Sequence, residues 1–285
     1  MFGCIEFTEP KTDNHLLQPQ LVAAGTNLHE PGGILETSVA YGNLEGLKYL
    51  LSQGVNPNAR TEDGRSALTT AIRENKIDIV HLLLENGADP NIRGEDWPLL
   101  MSVKQPAMLK ELLAVVRSPT SIHGLIEQAV QANQVESIKM LLKAGVSVED
   151  KTAGAFSPLT TALREQRKEL VRFLLYEADA DPNAPGEHLP IIKAIRRCPK
   201  NDTEMLEMLL DRGADINKMY RGWNAILQAV ESGNMKILKC LLAKGNDLDL
   251  EVTDEDGKTV REAVIERGWA EAIPLLFPQP RSPRA

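Results

Sequence analysis

Apolar residues recur at helical spacing along most of the chain. Ile79, Val80, Leu83 and Leu84 form one stripe, Ile138, Leu141 and Leu142 a second, and Leu170, Val171, Leu174 and Leu175 a third. Recurrence at i, i+3 and i+4 predicts short amphipathic helices. A tail of turn residues follows each stripe: Gly54-Val-Asn-Pro-Asn58, Gly87-Ala-Asp-Pro-Asn91, Gly145-Val-Ser-Val-Glu149, Asp179-Ala-Asp-Pro-Asn183, Gly213-Ala-Asp-Ile-Asn217 and Gly245-Asn-Asp-Leu-Asp249. The leading glycine suits the left-handed residue that ends a helix, and the Asp-Pro-Asn that follows is turn chemistry. From Gly54 to Gly87 the step is 33 residues, from Gly145 to Asp179 and from Asp179 to Gly213 it is 34, and from Gly213 to Gly245 it is 32. The 58 residues from Gly87 to Gly145 fit two shortened units. A degenerate tail stands at Gly25-Thr-Asn-Leu-His29.

Each tail leads through a loop into a second motif. Its clearest copies are Gly64-Arg-Ser-Ala-Leu-Thr-Thr-Ala71, Ser157-Pro-Leu-Thr-Thr-Ala162 and Gly222-Trp-Asn-Ala-Ile-Leu-Gln-Ala229. Ser or Thr there can cap a helix, and proline fits its first turn. With both motifs and the period in place, the unit resembles the ankyrin repeat, a helix–turn–helix of 33 residues. The resemblance implies an all-α ankyrin-repeat solenoid of about eight stacked helix-turn-helix units with finger loops and β-turns. It covers residues 16–276, with repeats near 16–30, 31–60, 61–93, 94–117, 118–150, 151–184, 185–217, 218–250 and 251–276. Residues 1–15 are expected to form an arm, and the Pro-rich, basic residues 277–285 a disordered tail. Pro19 makes residues 16–24 at best a broken helix.

The copies depart from the family pattern. The histidine that braces the family's loop is replaced by Thr69, Thr160 and Leu227. Thr can partly substitute and Leu cannot, which predicts looser fingers in some repeats. The third repeat is short, and Pro106 falls where its inter-helix loop is expected. The sixth carries an insertion near Cys198-Pro199-Lys200. Arg261 and Glu262 put polar groups at apolar head positions of the last repeat, which suits a terminal cap facing water.

Composition narrows the function. Forty acidic against 32 basic residues give a formal charge of -8, which argues against binding nucleic acid or an anionic membrane surface. Residues 1–15 lack the basic and apolar regions of a signal peptide, and no run of eighteen apolar residues offers a membrane span. Cys4, Cys198 and Cys240 form no CxxC pair. Free thiols suit a reducing compartment, so the cytoplasm or nucleus is the expected location. Cys240 is expected to pack in the core, and Cys198 to be exposed in the insertion. The five histidines share no ligand spacing, and no hydrolase elbow or phosphate loop occurs. Asp254-Glu-Asp256-Gly257 lacks the ligand pattern of a calcium loop and reads as a finger turn. No catalytic residue, metal site or cofactor is expected.

The resemblance instead implies binding of another protein through finger tips and first-helix positions. One candidate feature is the finger Lys218-Met219-Tyr220-Arg221-Gly222-Trp223, which is one residue shorter than the family pattern. Trp97 and Phe156 hold comparable finger positions, and aromatic, Met and Arg residues suit interface centres. Trp223 and Phe156 have an alternative role as covers for the next finger. The second feature is basic: Arg73, Arg164 and Arg196 stand two residues after the helix alanine, with Arg167, Lys168, Arg197 and Lys200 nearby. Such a patch suits an acidic or phosphorylated partner segment, while cations at a helix C-terminus also serve the helix itself. Two other readings stand beside the adaptor: an array from a larger receptor or ubiquitin-ligase assembly, and an enzyme with a site grafted onto the groove. Oligomeric state is open.

Overall fold

The computed structural model describes residues 33–92, 97–151, 156–199, 202–244 and 248–278. The expected N-terminal arm, the degenerate copy at 16–30 and residues 279–285 of the expected tail lie outside them. Among the described residues there are sixteen α-helices, one 3₁₀ turn and three isolated β-bridges. The all-α expectation is therefore met. Contacts divide the chain after Ser118 into two units.

The first unit holds three helical pairs: α1 (Ile34–Ala40) with α2 (Leu44–Ser52), α3 (Ala67–Arg73) with α4 (Ile77–Glu85), and α5 (Pro98–Ser102) with α6 (Pro106–Leu113). Helix α3 packs between α1 and α5, and α4 packs on α6. The stripes meet in a core that includes Leu47, Leu50, Ile72, Leu83, Leu99 and Leu109. Pro106 is not in the inter-helix loop. It is the first residue of α6, because α5 is only five residues long and the chain turns at Val103 and Lys104. Proline costs nothing there, since a first-turn N–H has no helical acceptor.

The second unit holds five pairs: α7 (Leu125–Gln131) with α8 (Val135–Lys143), α9 (Pro158–Arg164) with α10 (Lys168–Tyr176), α11 (Pro190–Arg196) with α12 (Glu204–Asp211), α13 (Ala225–Ser232) with α14 (Met235–Lys244), and α15 (Val260–Glu266) with α16 (Ile273–Leu276). The first helices α7, α9, α11, α13 and α15 pack in sequence, each against the next. Leu125, Ile126, Ile138, Leu141, Leu163 and Leu174 are sealed between them. Arg261 and Glu262 stand exposed on α15, as a polar cap requires.

Three kinds of polar contact hold neighbouring repeats in register. The first comes from the last residue of the tail. Asn58 accepts the Asp89 N–H at 2.8 Å and donates to the Gly87 carbonyl at 3.0 Å, and Asn183 does the same with Asp215 at 2.7 Å and Gly213 at 2.9 Å. The second comes from the start of the second helix. Lys76 donates to the Val39 carbonyl at 2.6 Å, and Arg167 to the Gln131 carbonyl at 3.4 Å. Each reaches carbonyls at the end of the preceding first helix, where a cation is favoured. The third joins first helices: Thr70 donates to Glu36 at 3.2 Å and Thr161 to Glu127 at 3.0 Å. The insertion of the sixth repeat is tied down as well. Lys168 bridges Asp202 at 2.5 Å and Glu204 at 2.7 Å, and these bonds push its ammonium up to about 12.

Candidate functional site

Apart from Arg167, the candidate residues of the second unit lie on first helices and fingers, and caps and turns position them. At α9, Ser157 and Thr160 form a capping box: the Ser157 Oγ accepts the Thr160 N–H at 3.3 Å, and the Thr160 Oγ1 accepts the Ser157 N–H at 3.2 Å. Ser66 and Thr69 repeat this at α3. Thr therefore braces its own helix start where the family uses histidine. At α13, Asn224 accepts the Leu227 N–H at 2.9 Å, but Leu227 returns nothing, and the buried Asn224 Nδ2 has no partner among the described residues. The next finger lies directly on the α9 box. A Cβ on Gly186 would come within 2.6 Å of Thr160 Oγ1, so only glycine fits there.

The finger at 218–223 is a two-residue hairpin turn. Tyr220 and Trp223 exchange both backbone hydrogen bonds, at 2.9 and 3.1 Å, with Arg221 and Gly222 at the tip. Both tip residues have positive φ, 51° and 70°, as a type I′ turn demands. Gly222 has a further reason to be glycine, because an added Cβ would meet Glu255 at 2.0 Å. The equivalent fingers close longer loops, between Arg60 and Ser66 and between Thr253 and Thr259. The shortness read from the sequence is thus a change of turn type. Asp254 Oδ1 accepts the N–H groups of Asp256 and Lys258, so the Asp-Glu-Asp-Gly segment is a braced turn.

Aromatic and basic residues, which the sequence offered as two separate features, form one surface here. The Arg164 guanidinium lies over the Phe156 ring at 4.9 Å and Arg196 over Trp223 at 5.6 Å. Arg221 lies over Tyr220 at 5.3 Å. The Tyr220 hydroxyl donates to the Gly186 carbonyl at 3.3 Å and so joins two fingers. Arg196 also donates from Nε to Gln228 at 2.5 Å and from Nη1 to His188 at 3.1 Å. Burial and the charges of Arg196, Lys193 and Arg221 hold His188 below its ordinary value, so it accepts that bond as a neutral ring. Lys193 is 6% exposed and pairs with Glu187 at 2.9 Å, which holds Glu187 below the usual carboxylate range.

The remaining candidates are placed differently. Arg167 is half-buried at the start of α10, bonded to the Gln131 carbonyl, and does not join Arg164. Arg197 is exposed at the end of α11. Met219 is exposed beside Tyr220. Trp97 belongs to the first unit, where it is half-buried and its carbonyl accepts the Met101 N–H at the start of α5. Arg73 ends α3 in that unit as well. Lys193, Gln228, Glu187 and His188 join this surface without standing in either of the two features read from the sequence. A signal was present: the fourth position of the successive first helices α9, α11 and α13 carries Thr161, Lys193 and Gln228, buried polar residues on a helix face that is otherwise apolar.

The thiols correct two expectations. Cys240 is half-buried rather than sealed in the core, and burial pushes it up to about 11. Cys198 is half-buried too, its Sγ lies 3.1 Å from the Asp202 carbonyl, and burial raises its thiol. That is the reverse of an activated cysteine. Among the described residues, no cluster of three His, Cys, Asp or Glu is placed to hold a metal ion, and no helix is long and apolar enough to cross a membrane.

The sequence matches a family described as ankyrin repeats in three copies, over residues 13–94, 126–220 and 191–281. Among curated proteins it is similar to the transient receptor potential cation channel subfamily A member 1 of Homo sapiens, 32% identical over 120 residues, 42% of this chain and 11% of that protein. It is also similar to the nuclear factor NF-kappa-B p105 subunit of Gallus gallus, 30% identical over 153 residues, 52% of this chain and 15% of that protein. A third relative is ankyrin repeat and SOCS box protein 3 of Bos taurus, 34% identical over 125 residues, 42% of this chain and 23% of that protein. The chain thus spans less than a quarter of the length of these relatives. Among solved structures, the ankyrin repeat domain of Bcl-3 superposes with a TM-score of 0.60 over 72% of this chain and 98% of that one, at 23% identity, a likeness of fold.

Proposed function

The chain belongs to the ankyrin-repeat family, and on that premise we propose that it is a protein-interaction scaffold whose second unit holds an acidic or phosphorylated segment of a partner. The supporting observation is the pair Arg164 and Arg196, each laid on an aromatic ring at the same register of neighbouring first helices. A guanidinium held by a ring is pre-oriented, so less side-chain freedom is lost when it meets a carboxylate or phosphate. Arg221, Met219 and Tyr220 extend the surface along the adjacent finger, with residue types that suit an interface centre.

The groups of the cluster favour binding over catalysis. Glu187 is committed to Lys193, and His188 accepts from Arg196. Neither is poised to exchange a proton with a substrate. The scaffold is expected to act in the cytoplasm or nucleus, with free thiols.

The test is affinity capture from native lysate with the wild-type chain and with the Arg164→Glu/Arg196→Glu variant, read by quantitative mass spectrometry. A scaffold enriches one or a few proteins that the variant loses. Identical profiles for both baits would remove this surface from the binding site.

A further inference from the structure

The row to which Arg164 and Arg196 belong extends over four repeats and changes sign along its length. Counting from the first residue of each first helix, the seventh position is Gln131 on α7, Arg164 on α9, Arg196 on α11 and Glu231 on α13. These four helices pack in sequence, so the row reads neutral, positive, positive, negative. Packed helices lie about 8–10 Å apart, which sets the pitch of the row.

The donors along the row are unequally spent. Among the described residues, Arg164 bonds only through Nε, to Glu165 at 3.1 Å, which leaves both Nη groups open. Arg196 uses Nε and Nη1, which leaves Nη2 open. Glu231 is well exposed and faces Arg267 only at 3.8 Å. The two open Nη groups of Arg164 match the planar carboxylate, which accepts two parallel bonds, and Arg196 offers it a bond through Nη2.

Resting on the scaffold reading above, we infer that the row takes a peptide segment in the polyproline II conformation, with carboxylate side chains at i and i+3 on Arg196 and Arg164 and a cationic side chain on Glu231 three residues to the other side of Arg196. Polyproline II repeats its side-chain direction every three residues and advances about 3.1 Å per residue, so equivalent side chains recur about every 9 Å, the pitch of the row. A β-strand alternates faces and cannot present i and i+3 together. An α-helix reaches this pitch only with acids seven residues apart. The rings of Phe156, Trp223 and Tyr220 beside the row add the aromatic lining that polyproline II ligands use.

The experiment uses the full chain and short fluorescein-labelled peptides on a Pro/Ala background, read by anisotropy at low salt. One peptide carries Lys, Glu and Glu at three-residue intervals. A second moves the acids to i and i+2, a third is Ala-rich with acids at i and i+7, and a fourth replaces the Lys by Glu. The first is expected to bind about tenfold tighter than the others, with Arg164→Gln and Arg196→Gln each costing about tenfold. Glu231→Lys should reverse the preference between Lys and Glu at the third site. Thermal unfolding of each variant separates loss of contact from loss of fold. Equal affinity for every spacing, tighter binding of the helical peptide, or an unchanged third-site preference in Glu231→Lys overturns the inference. Any of these beside an intact wild-type capture that Arg164→Glu/Arg196→Glu abolishes sinks the register while leaving the scaffold reading standing.

Discussion

Glu149 accepts the Asp181 N–H through Oε1 at 2.9 Å, in the place where Asn58 and Asn183 each hold two backbone groups of the next repeat. A carboxylate can copy only the accepting half of that contact. It has no N–H for the Asp179 carbonyl, the counterpart of those at Gly87 and Gly213. Burial is the main cause that raises Glu149 above the ordinary carboxylate value of 4.5, offset in part by the Asp181 bond.

Glu149→Asn is accordingly expected to stabilise the second unit by about 1 kcal/mol, the net worth of one hydrogen bond. The wild-type chain should also lose stability relative to the variant as pH rises. A raised carboxylate binds its proton more tightly in the folded state, so its contribution is present below 4.5 and is lost as pH climbs through the folded value. Urea unfolding of both proteins at pH 4 and pH 7 measures the two effects. A variant that is no more stable at pH 7 would show that the missing donor costs nothing.

Glu187→Gln should destabilise the second unit, because it leaves the buried Lys193 ammonium without its counter-charge. Glu187 is partly exposed and solvent screens part of the loss, so the cost is set at about 1–2 kcal/mol. Its sign with pH is opposite to that of Glu149. Glu187 is depressed by Lys193, so its contribution is present above 4.5 and is lost as pH falls through the lowered value. The gap between wild type and variant should therefore close on acidification. A gap that stays constant from pH 7 to pH 3 contradicts the pairing.

Cys240 is expected to react slowly with iodoacetamide at pH 7.4. A thiol raised from 9.0 to about 11 carries about a hundredfold less thiolate than an unperturbed one. Peptide mapping before and after unfolding in urea gives the comparison, and similar rates in the two states would refute burial as the cause.

Tyr220 and Met219, neighbours in one finger, should separate stability from binding. Tyr220→Phe removes the bond to the Gly186 carbonyl and costs about 0.5–1 kcal/mol. Met219→Ala removes an exposed side chain and should leave the melting temperature unchanged while weakening partner capture. Equal capture by wild type and Met219→Ala places the residue outside the interface.

The helices were legible because their signal is local. Ile79, Val80 and Leu83 lie three and four residues apart, and all three are buried on one face of α4. The capping at Ser66 and Ser157 was legible for the same reason. Pro106 was not, because proline is equally at home in a loop and at the first position of a helix, and only the early end of α5 decides between them. The basic cluster was half legible. Periodicity put Arg164 and Arg196 in register, but Arg167 finds its acceptor at Gln131, 36 residues back, and Lys193 finds Glu187 across a loop. The merging of aromatic and basic residues was hidden for a similar reason: Trp223 meets Arg196 across 27 positions of sequence.

The ties between repeats reach one neighbour and stop there: Asn183 to Gly213, Lys76 to Val39, Thr161 to Glu127. Within either unit, tension applied at the two ends is carried in series, link by link, with no strut from one extremity to the other. Such a chain of links yields at its weakest joint and lengthens in steps of one repeat.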